Sequence, residues 1–171
     1  MISFENVSKS YGDHTIIDNI SCHIQRGEFF VLVGASGSGK TTILKMINRL
    51  IEPSQGAITL DGENITSLDL RQLRLGILRA IVAKPKVLLM DEPFSALDPI
   101  SRRQLQDITK QLQSELGITL VFVTHDMKEA MRLADRICVI KEGKIVQLDR
   151  PEIIQNNPSD QFVRTLFEEE N

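Results

Sequence analysis

The sequence lacks the features that mark several large classes of protein. It has only two cysteines, Cys22 and Cys138, and their spacing matches no zinc or redox motif. We interpret both as reduced thiols within apolar segments. No apolar run approaches the ~20 residues of a membrane-spanning helix, and the first residues show no signal-peptide pattern. Any membrane role is therefore expected to act through a partner protein.

The chain also has no excess of positive charge. It carries 20 lysines and arginines against 23 aspartates and glutamates, which gives a formal net charge of −3. Domains that bind nucleic acids are usually basic, so this balance predicts no nucleic-acid partner, although it is compatible with a local basic patch. No internal repeat or low-complexity segment occurs. The composition, 42% hydrophobic and 25% charged, is typical of a globular protein and predicts a single domain over residues 1–171.

The pattern of apolar residues predicts an α/β fold. Alternating apolar residues over roughly the first 25 residues predict antiparallel strands. Further strands are predicted at 29–33, 57–60, 87–90, 119–123, 137–140 and 145–148, and helices at 42–50, 101–116 and 127–133. Three of the strands (29–33, 87–90 and 119–123) are continuous apolar runs, as expected when both faces are buried. Alternating strands and helices predict a mostly parallel central sheet, with antiparallel strands at the N-terminal end. The acidic tail is predicted to be solvated.

The strongest motif is a glycine-rich loop. Residues 34–41 read Gly-Ala-Ser-Gly-Ser-Gly-Lys-Thr and match the phosphate-binding pattern G-x-x-x-x-G-K-[ST]. The loop follows a predicted buried strand and precedes a predicted helix, whose positive end favours a phosphate. We expect Lys40 to neutralise charge on the β- and γ-phosphates and the Thr41 hydroxyl to bind Mg²⁺. The rest of the predicted nucleotide-binding loop is Gly34, Ser36, Gly37, Ser38, Gly39 and Thr42.

A pair of carboxylates follows the second buried strand. Asp91 and Glu92 come directly after the run 87–90. Parallel strands end at the same edge of a sheet, so these carboxylates are expected beside the phosphate loop. Asp91 suits a Mg²⁺ ligand acting through water, and Glu92 suits the base that orients or deprotonates the attacking water. A small GTPase is disfavoured because no D-x-x-G follows this strand and no N-K-x-D occurs.

Taken together, these segments resemble the ATP-binding domains of ABC transporters. Residues 95–98 (Ser-Ala-Leu-Asp) resemble the D-loop of that family, and 123–126 (Val-Thr-His-Asp) resemble its switch-histidine segment. Residues 10–12 lie where the family keeps an aromatic residue ahead of the phosphate loop. The resemblance covers nearly the whole chain and identifies the fold as that of a P-loop NTPase. The segments GASGSGKTT and LLMDEPFSALDP are most similar to those of ATPases of bacterial importers for glycine betaine, choline and related osmolytes.

The resemblance implies roles for three more residues. It implies that Tyr11 stacks on adenine, that His125 contacts the γ-phosphate and that Asp98 belongs to the nucleotide site. The alternatives are an ordinary aromatic residue at a strand end, a surface histidine and a residue that only caps the turn before Pro99. The implied cofactors are ATP and Mg²⁺. The implied partners are a membrane permease and a second nucleotide-binding domain, on the cytoplasmic, inner face of the cell membrane.

The sequence departs from the family between Lys40 and Asp91. The family normally has a strand leading to a glutamine that contacts Mg²⁺, a helical subdomain and the LSGGQ signature in this interval. Here the only glutamines are Gln55 and Gln72, neither after an apolar strand, and Ser-Gly-Gly occurs nowhere. Residues 73–77 resemble the approach to the missing strand, and 78–83 resemble the helix after the signature. We therefore predict a deletion junction near 76–79, with residues 78–82 forming either a helix or a replacement strand.

Three functions are compatible with this pattern. The first is a truncated importer ATPase domain that binds ATP and Mg²⁺ but hydrolyses ATP weakly or not at all. The second is a non-catalytic module that senses nucleotide or competes with a full-length domain. The third is an ABC ATPase that acts on DNA or ribosomes, which is disfavoured by the single phosphate loop and the lack of basic charge.

Overall fold

The computed structural model describes residues 1–67 and 86–168. The strands are β1 (Ile2–Tyr11), β2 (His14–Ile24), β3 (Phe29–Val33), β4 (Gln55–Leu60), β5 (Glu63–Asn64), β6 (Val87–Asp91), β7 (Thr119–Thr124), β8 (Arg136–Lys141) and β9 (Lys144–Asp149). The helices are α1 (Lys40–Ile47), α2 (Pro99–Leu116), α3 (Met127–Leu133), α4 (Pro151–Asn156) and α5 (Gln161–Glu168). No helix within the described ranges is long and apolar enough to cross a membrane.

The strands form two sheets. One is antiparallel, in the order β2-β1-β4-β5, and the other has the order β6-β7-β3-β8-β9. In the second sheet β6, β7, β3 and β8 run parallel, and β9 is antiparallel to β8. This confirms the predicted α/β fold with a mostly parallel sheet and antiparallel strands near the N-terminus. The register pairs Val33 with Thr124 and Asp91 with Val123, so β3, β6 and β7 end at one edge.

The core lies on both faces of strand β3. All five of its residues are buried, as the continuous apolar run predicts. Phe30 and Leu32 pack with apolar residues of α1 and of the antiparallel sheet. Phe29 and Val31 pack on the other face with residues of β7, α3, α4 and α5. The sheet is therefore covered on both sides, which fixes β3 and the loop that follows it.

Two predicted elements differ from the structure at their ends or in burial. Helix α1 ends at Ile47 rather than at residue 50, because Asn48 leaves helical geometry and Arg49 has a positive φ of 56°. Leu50, predicted on the apolar face of this helix, is 60% exposed. Strand β6 is half-buried and not buried on both faces, since it lies at the sheet edge and pairs only with β7 among the described strands.

The C-terminal region contains structure that the sequence interpretation missed. It predicted neither α4 nor α5, which place Ile154 and Val163 in the core beside β7 and α3; the acidic tail predicted to be solvated lies outside the side chains that the structure describes. Both helices are short, six and eight residues, which gives their apolar periodicity little length in which to stand out. The predicted junction at 76–79, the alternatives for 78–82 and Gln72 lie outside the described residues.

The two cysteines are free thiols, as predicted. Cys138 is fully buried in β8, and Cys22 is partly buried in β2. Burial raises the pKa of Cys22 to about 12 and the pKa of Cys138 well above its usual value. Both are therefore protonated at neutral pH and belong to the apolar packing.

Candidate functional site

The glycine-rich loop joins β3 to α1, as the motif requires. Gly39 precedes α1 with a φ of 106°, and a Cβ atom there would come within 2.5 Å of Ile17 Cδ1. At Gly34, a Cβ atom would overlap the carbonyl oxygen of Ile140. Gly34 must be glycine because the backbone of β8 lies against it, and Gly39 because its positive φ is strained for any other residue. Strands β2 and β8, which are distant in sequence, therefore lie directly against the loop.

Lys40 lies inside this loop. Its Nζ donates hydrogen bonds to the carbonyl oxygens of Gly34 (2.7 Å) and Ala35 (2.8 Å), and the residue is only 5% exposed. Burial lowers the pKa of the ammonium, while the negative charges of Glu92 and Asp91 act in the opposite direction. The nearby hydroxyl of Ser38 is buried without a hydrogen-bond partner in the described structure. An ammonium and an unpaired hydroxyl inside a glycine loop fit a phosphate group.

The two predicted Mg²⁺ ligands meet at the end of the sheet. The Thr41 hydroxyl donates to Asp91 Oδ1 at 3.3 Å. No cluster of three or more His, Cys, Asp or Glu side chains that could hold a metal occurs among residues 1–67 and 86–168. Mg²⁺ commonly binds through one or two protein oxygens together with substrate phosphates, so this donor pair beside a phosphate loop fits that ion.

Glu92 and His125 form a second pair at the same edge. His125 Nδ1 lies 3.2 Å from Glu92 Oε2, and both side chains are exposed. Glu92 has a φ of 46°, an uncommon conformation for a non-glycine residue, and its N–H donates to the Val123 carbonyl at 2.9 Å. Strained backbone of this kind tends to occur at functional sites. The pair lies where a base and a phosphate contact were predicted.

A cleft of about 380 Å³ brings most of the predicted residues together. Its lining comprises Tyr11, Ile16, Ser36, Gly37, Gly39, Lys40, Thr41, Thr42 and Glu92. Pockets for small ligands typically have volumes of about 300–1,000 Å³. Tyr11 is 52% exposed at the end of β1, with Lys9 Nζ 4.8 Å from its ring centroid. A phosphate loop, an exposed aromatic ring and the Glu92 carboxylate therefore surround one space.

Asp98 has a definite structural role. It caps α2, where its Oδ1 accepts hydrogen bonds from the N–H groups of Ile100 and Ser101 at 3.0 Å each. Hydrogen bonds from Ser101 lower the pKa of this exposed carboxyl. Asp98 thus has the capping role that was the alternative to a nucleotide contact, and what it caps is the start of a helix. A contact of Asp98 with nucleotide stays a prediction.

Other residues support the site without being marked by any motif. The N–H of Gly143, in the β8–β9 turn, donates to the Ser38 carbonyl at 3.1 Å. Ile16 lines the cleft opposite the loop. The sequence shows a turn at Glu142-Gly143 and an apolar strand around Ile16, but nothing in it relates either feature to the phosphate loop.

A strand–loop–helix phosphate site at the carboxyl edge of a parallel sheet defines a P-loop nucleotide-binding protein. The model for the family described as ABC transporter matches residues 17–74. The chain is 39% identical to the choline transport ATP-binding protein OpuBA of Bacillus subtilis (strain 168), over 99% of this chain and 63% of that protein. It is 33% identical to the glycine betaine uptake system ATP-binding protein YehX of Escherichia coli (strain K12), over 98% and 76%. The chain belongs to the family of ABC transporter ATP-binding proteins.

The fold agrees with a solved member of that family. The dimeric structure of MJ0796, a bacterial ABC transporter cassette, superimposes with a TM-score of 0.78 at 24% identity, covering 88% of this chain and 99% of that one. A likeness at this level of identity concerns the fold.

The chain is shorter than the regions that it matches. The alignment with OpuBA extends over 239 residues, whereas this chain has 171, of which 99% are covered. OpuBA therefore has residues inside the matched region that this chain does not have. The family match also ends at residue 74, just before the predicted junction. The chain spans 63% of the length of OpuBA.

Proposed function

We propose that this chain is the ATP-binding domain of an ABC importer for osmolyte-type quaternary amines such as glycine betaine, choline or carnitine. The cleft formed by the phosphate loop, Tyr11 and Glu92 is the observation that carries nucleotide binding. The solute class is supported by relatives named for choline, glycine betaine and carnitine transport. Those names belong to longer proteins, so the solute is part of the proposal.

The nucleotide binds by its phosphates. The phosphate oxygens accept hydrogen bonds from backbone N–H groups of residues 34–39 and of the start of α1. Lys40 contributes a buried positive charge. The adenine base stacks on the exposed ring of Tyr11, which lines the same cleft. Thr41 and Asp91 are the residues that would hold Mg²⁺. When bound, this ion neutralises phosphate charge.

Hydrolysis uses the pair at the ends of β6 and β7. Glu92 orients the attacking water and accepts its proton, and His125 contacts the γ-phosphate. The chain contains no Ser-Gly-Gly sequence, and it is shorter than its relatives within the matched region. We therefore propose that the signature and the helical subdomain are missing and that turnover is impaired, since positive groups supplied across a dimer commonly stabilise phosphoryl transfer.

The proposed partners are a membrane permease and a second nucleotide-binding domain, at the inner face of the cell membrane. Loss of the helical subdomain would weaken the contact with the permease, because that part of the family fold receives the permease. The alternative, a non-catalytic nucleotide-sensing module, is not favoured by the relatives, which are named for transport. A permease gene beside the coding gene supports the first function, and an intact paralogue nearby supports the second.

Calorimetric titration with ATP and Mg²⁺ tests the proposed nucleotide site. Lys40→Ala is expected to weaken ATP binding by roughly tenfold or more, because it removes a charge-assisted contact in a partly desolvated site. Lys45→Ala is the matched control, since Lys45 lies one turn further along α1 and is exposed. Identical titrations for the parent and Lys40→Ala would contradict the proposal.

A further inference from the structure

Arg102, near the start of α2, touches two loops of the site at once. Its Nη2 donates to the carbonyl oxygen of Leu97 at 3.1 Å, and its Nη1 lies 3.9 Å from Asp126 Oδ2. Leu97 belongs to the loop after β6, directly before Asp98. Asp126 belongs to the loop after β7, directly after His125. A single guanidinium therefore connects the segment that follows Glu92 with the segment that carries His125.

The surroundings of Arg102 favour a geometric role over a contribution to stability. The residue lines a cavity of about 50 Å³ together with Glu92, Thr124, His125, Asp126 and Glu129. Its Nε is buried and has no hydrogen-bond partner among the described residues. A partly exposed pair at 3.9 Å adds little to stability. What the guanidinium supplies is a rigid planar connection between the Leu97 carbonyl and the Asp126 carboxylate.

Asp126 links Arg102 to the backbone beside His125. Its Oδ1 accepts from the Glu129 N–H at 2.9 Å and so caps α3, while its own N–H donates to Thr124 Oγ1 at 3.0 Å. Arg102 approaches the other carboxylate oxygen, Oδ2. The residue next to His125 is thus held on three sides, although the His125 side chain is itself 62% exposed and contacts Glu92.

We propose that Arg102 is a positioning residue that holds His125 where it can reach the terminal phosphate of ATP. The proposal rests on the proposed function, in which His125 contacts the γ-phosphate. It predicts that Arg102 affects the preference for ATP over ADP, since only ATP has the phosphate that His125 would contact. Binding through the phosphate loop and Tyr11 should not depend on Arg102.

The experiment is a set of calorimetric titrations with ATP·Mg²⁺ and ADP·Mg²⁺ on the parent, Arg102→Gln, Arg102→Lys and Arg103→Gln. Arg103 is the matched control, because it is the exposed neighbour on the same helix turn. Arg102→Gln is expected to lower the ATP-to-ADP affinity ratio by roughly threefold to tenfold, a change on the scale of one ordinary hydrogen bond, and to leave ADP affinity unchanged. Arg102→Lys should lower the ATP-to-ADP affinity ratio less than Arg102→Gln does, and Arg103→Gln should leave the ratio unchanged.

A double-mutant cycle with His125→Ala separates positioning from a general loss of structure. Once His125 is removed, Arg102→Gln should cause no further change in the ratio. Thermal unfolding shows whether each variant is folded. If Arg102→Gln does not fold, the affinity ratio of Arg102→Lys is compared with that of the parent instead.

Four results would overturn the inference. An equal loss of ATP and ADP affinity in Arg102→Gln would make the role structural. Full additivity with His125→Ala would show that Arg102 does not act through that residue. If the parent binds ATP and ADP equally, His125 does not contact the γ-phosphate, although binding through the phosphate loop would still be supported. A parent that binds neither nucleotide would contradict the proposed function itself, and the inference with it.

Discussion

The hydroxyl of Thr41 lies 3.3 Å from Asp91 Oδ1, although the two residues are 50 positions apart in the chain. Thr41 belongs to the first turn of α1, and Asp91 is the last residue of β6. Between them lie the antiparallel strands β4 and β5 and the segment in which the deletion junction is predicted. The pair nevertheless has the arrangement that a Mg²⁺ site beside a phosphate loop requires.

Asp91→Asn is expected to reduce the gain in ATP affinity that Mg²⁺ provides, by roughly tenfold or more, as is usual when a group that orients a metal is lost. Binding of ATP in the presence of a chelator should change little, because the phosphate loop is intact. The measurement is a pair of titrations, with Mg²⁺ and with EDTA. Glu152→Gln removes an exposed carboxylate on α4 and is the control. Equal Mg²⁺ dependence in the parent and Asp91→Asn would exclude Asp91 as a ligand.

Hydrolysis by the isolated chain is expected to be very slow, and Glu92→Gln should change it little. The base is present beside His125, but the stabilisation that a partner's signature gives the transition state is expected to be absent, and such stabilisation commonly amounts to several kcal/mol. Steady-state phosphate release measures this, with Lys40→Ala as the background for contaminating ATPases. Robust turnover that collapses in Glu92→Gln would mean that another group replaces the signature.

No tight dimer is expected to form in response to ATP. Closure around nucleotide without the facing signature would leave phosphate charge at the interface without partner groups, and uncompensated buried charge is costly. Sedimentation of Glu92→Gln with and without ATP·Mg²⁺ measures this. A dimer that appears only with ATP would show that the site closes without the signature.

Association that does not require ATP is a separate expectation. Helix α2 exposes Leu105, Ile108, Leu112 and Leu116, each 40–49% accessible, while its buried residues are glutamines. Exposed apolar surface of this kind favours contacts that nucleotide does not control. Any self-association of the parent should therefore show the same concentration dependence with and without ATP.

Asp98→Ala is expected to lower the stability of the protein, because two N–H groups at the start of α2 lose their acceptor. Asp98→Asn retains an acceptor and should lose less. The pKa of Asp98 is lowered by these hydrogen bonds, so the stabilisation is present above the ordinary value of 3.8 and is lost as pH falls through the lowered value. Denaturant unfolding at neutral and acid pH measures both effects. A stability difference between the parent and Asp98→Ala that does not shrink in acid would contradict this account.

Much of the fold was predictable because its signals are local. The buried strand β3, the glycine loop and α1 are contiguous, and each has a pattern that one stretch of chain displays. Strand β7, helix α3 and the β8–β9 hairpin were predicted for the same reason. Two predictions were wrong. Strand β6 is half-buried because it lies at the edge of the described sheet, and α1 ends early because the backbone turns at Asn48 and Arg49.

The local sequence fixes which groups could bind a nucleotide: a curled backbone, a lysine, a threonine and a carboxylate pair at strand ends. It does so because a phosphate loop is built from consecutive residues, whose conformational freedom depends on their own side chains. Folding fixes how these groups meet. The parallel register of β3, β7 and β6 places Thr41 beside Asp91 and His125 beside Glu92. Helix α2 places Arg102 between the loop after β6 and the loop after β7. Contacts of this kind join residues that no local pattern connects, and they arise only when the strands pair and the helices pack.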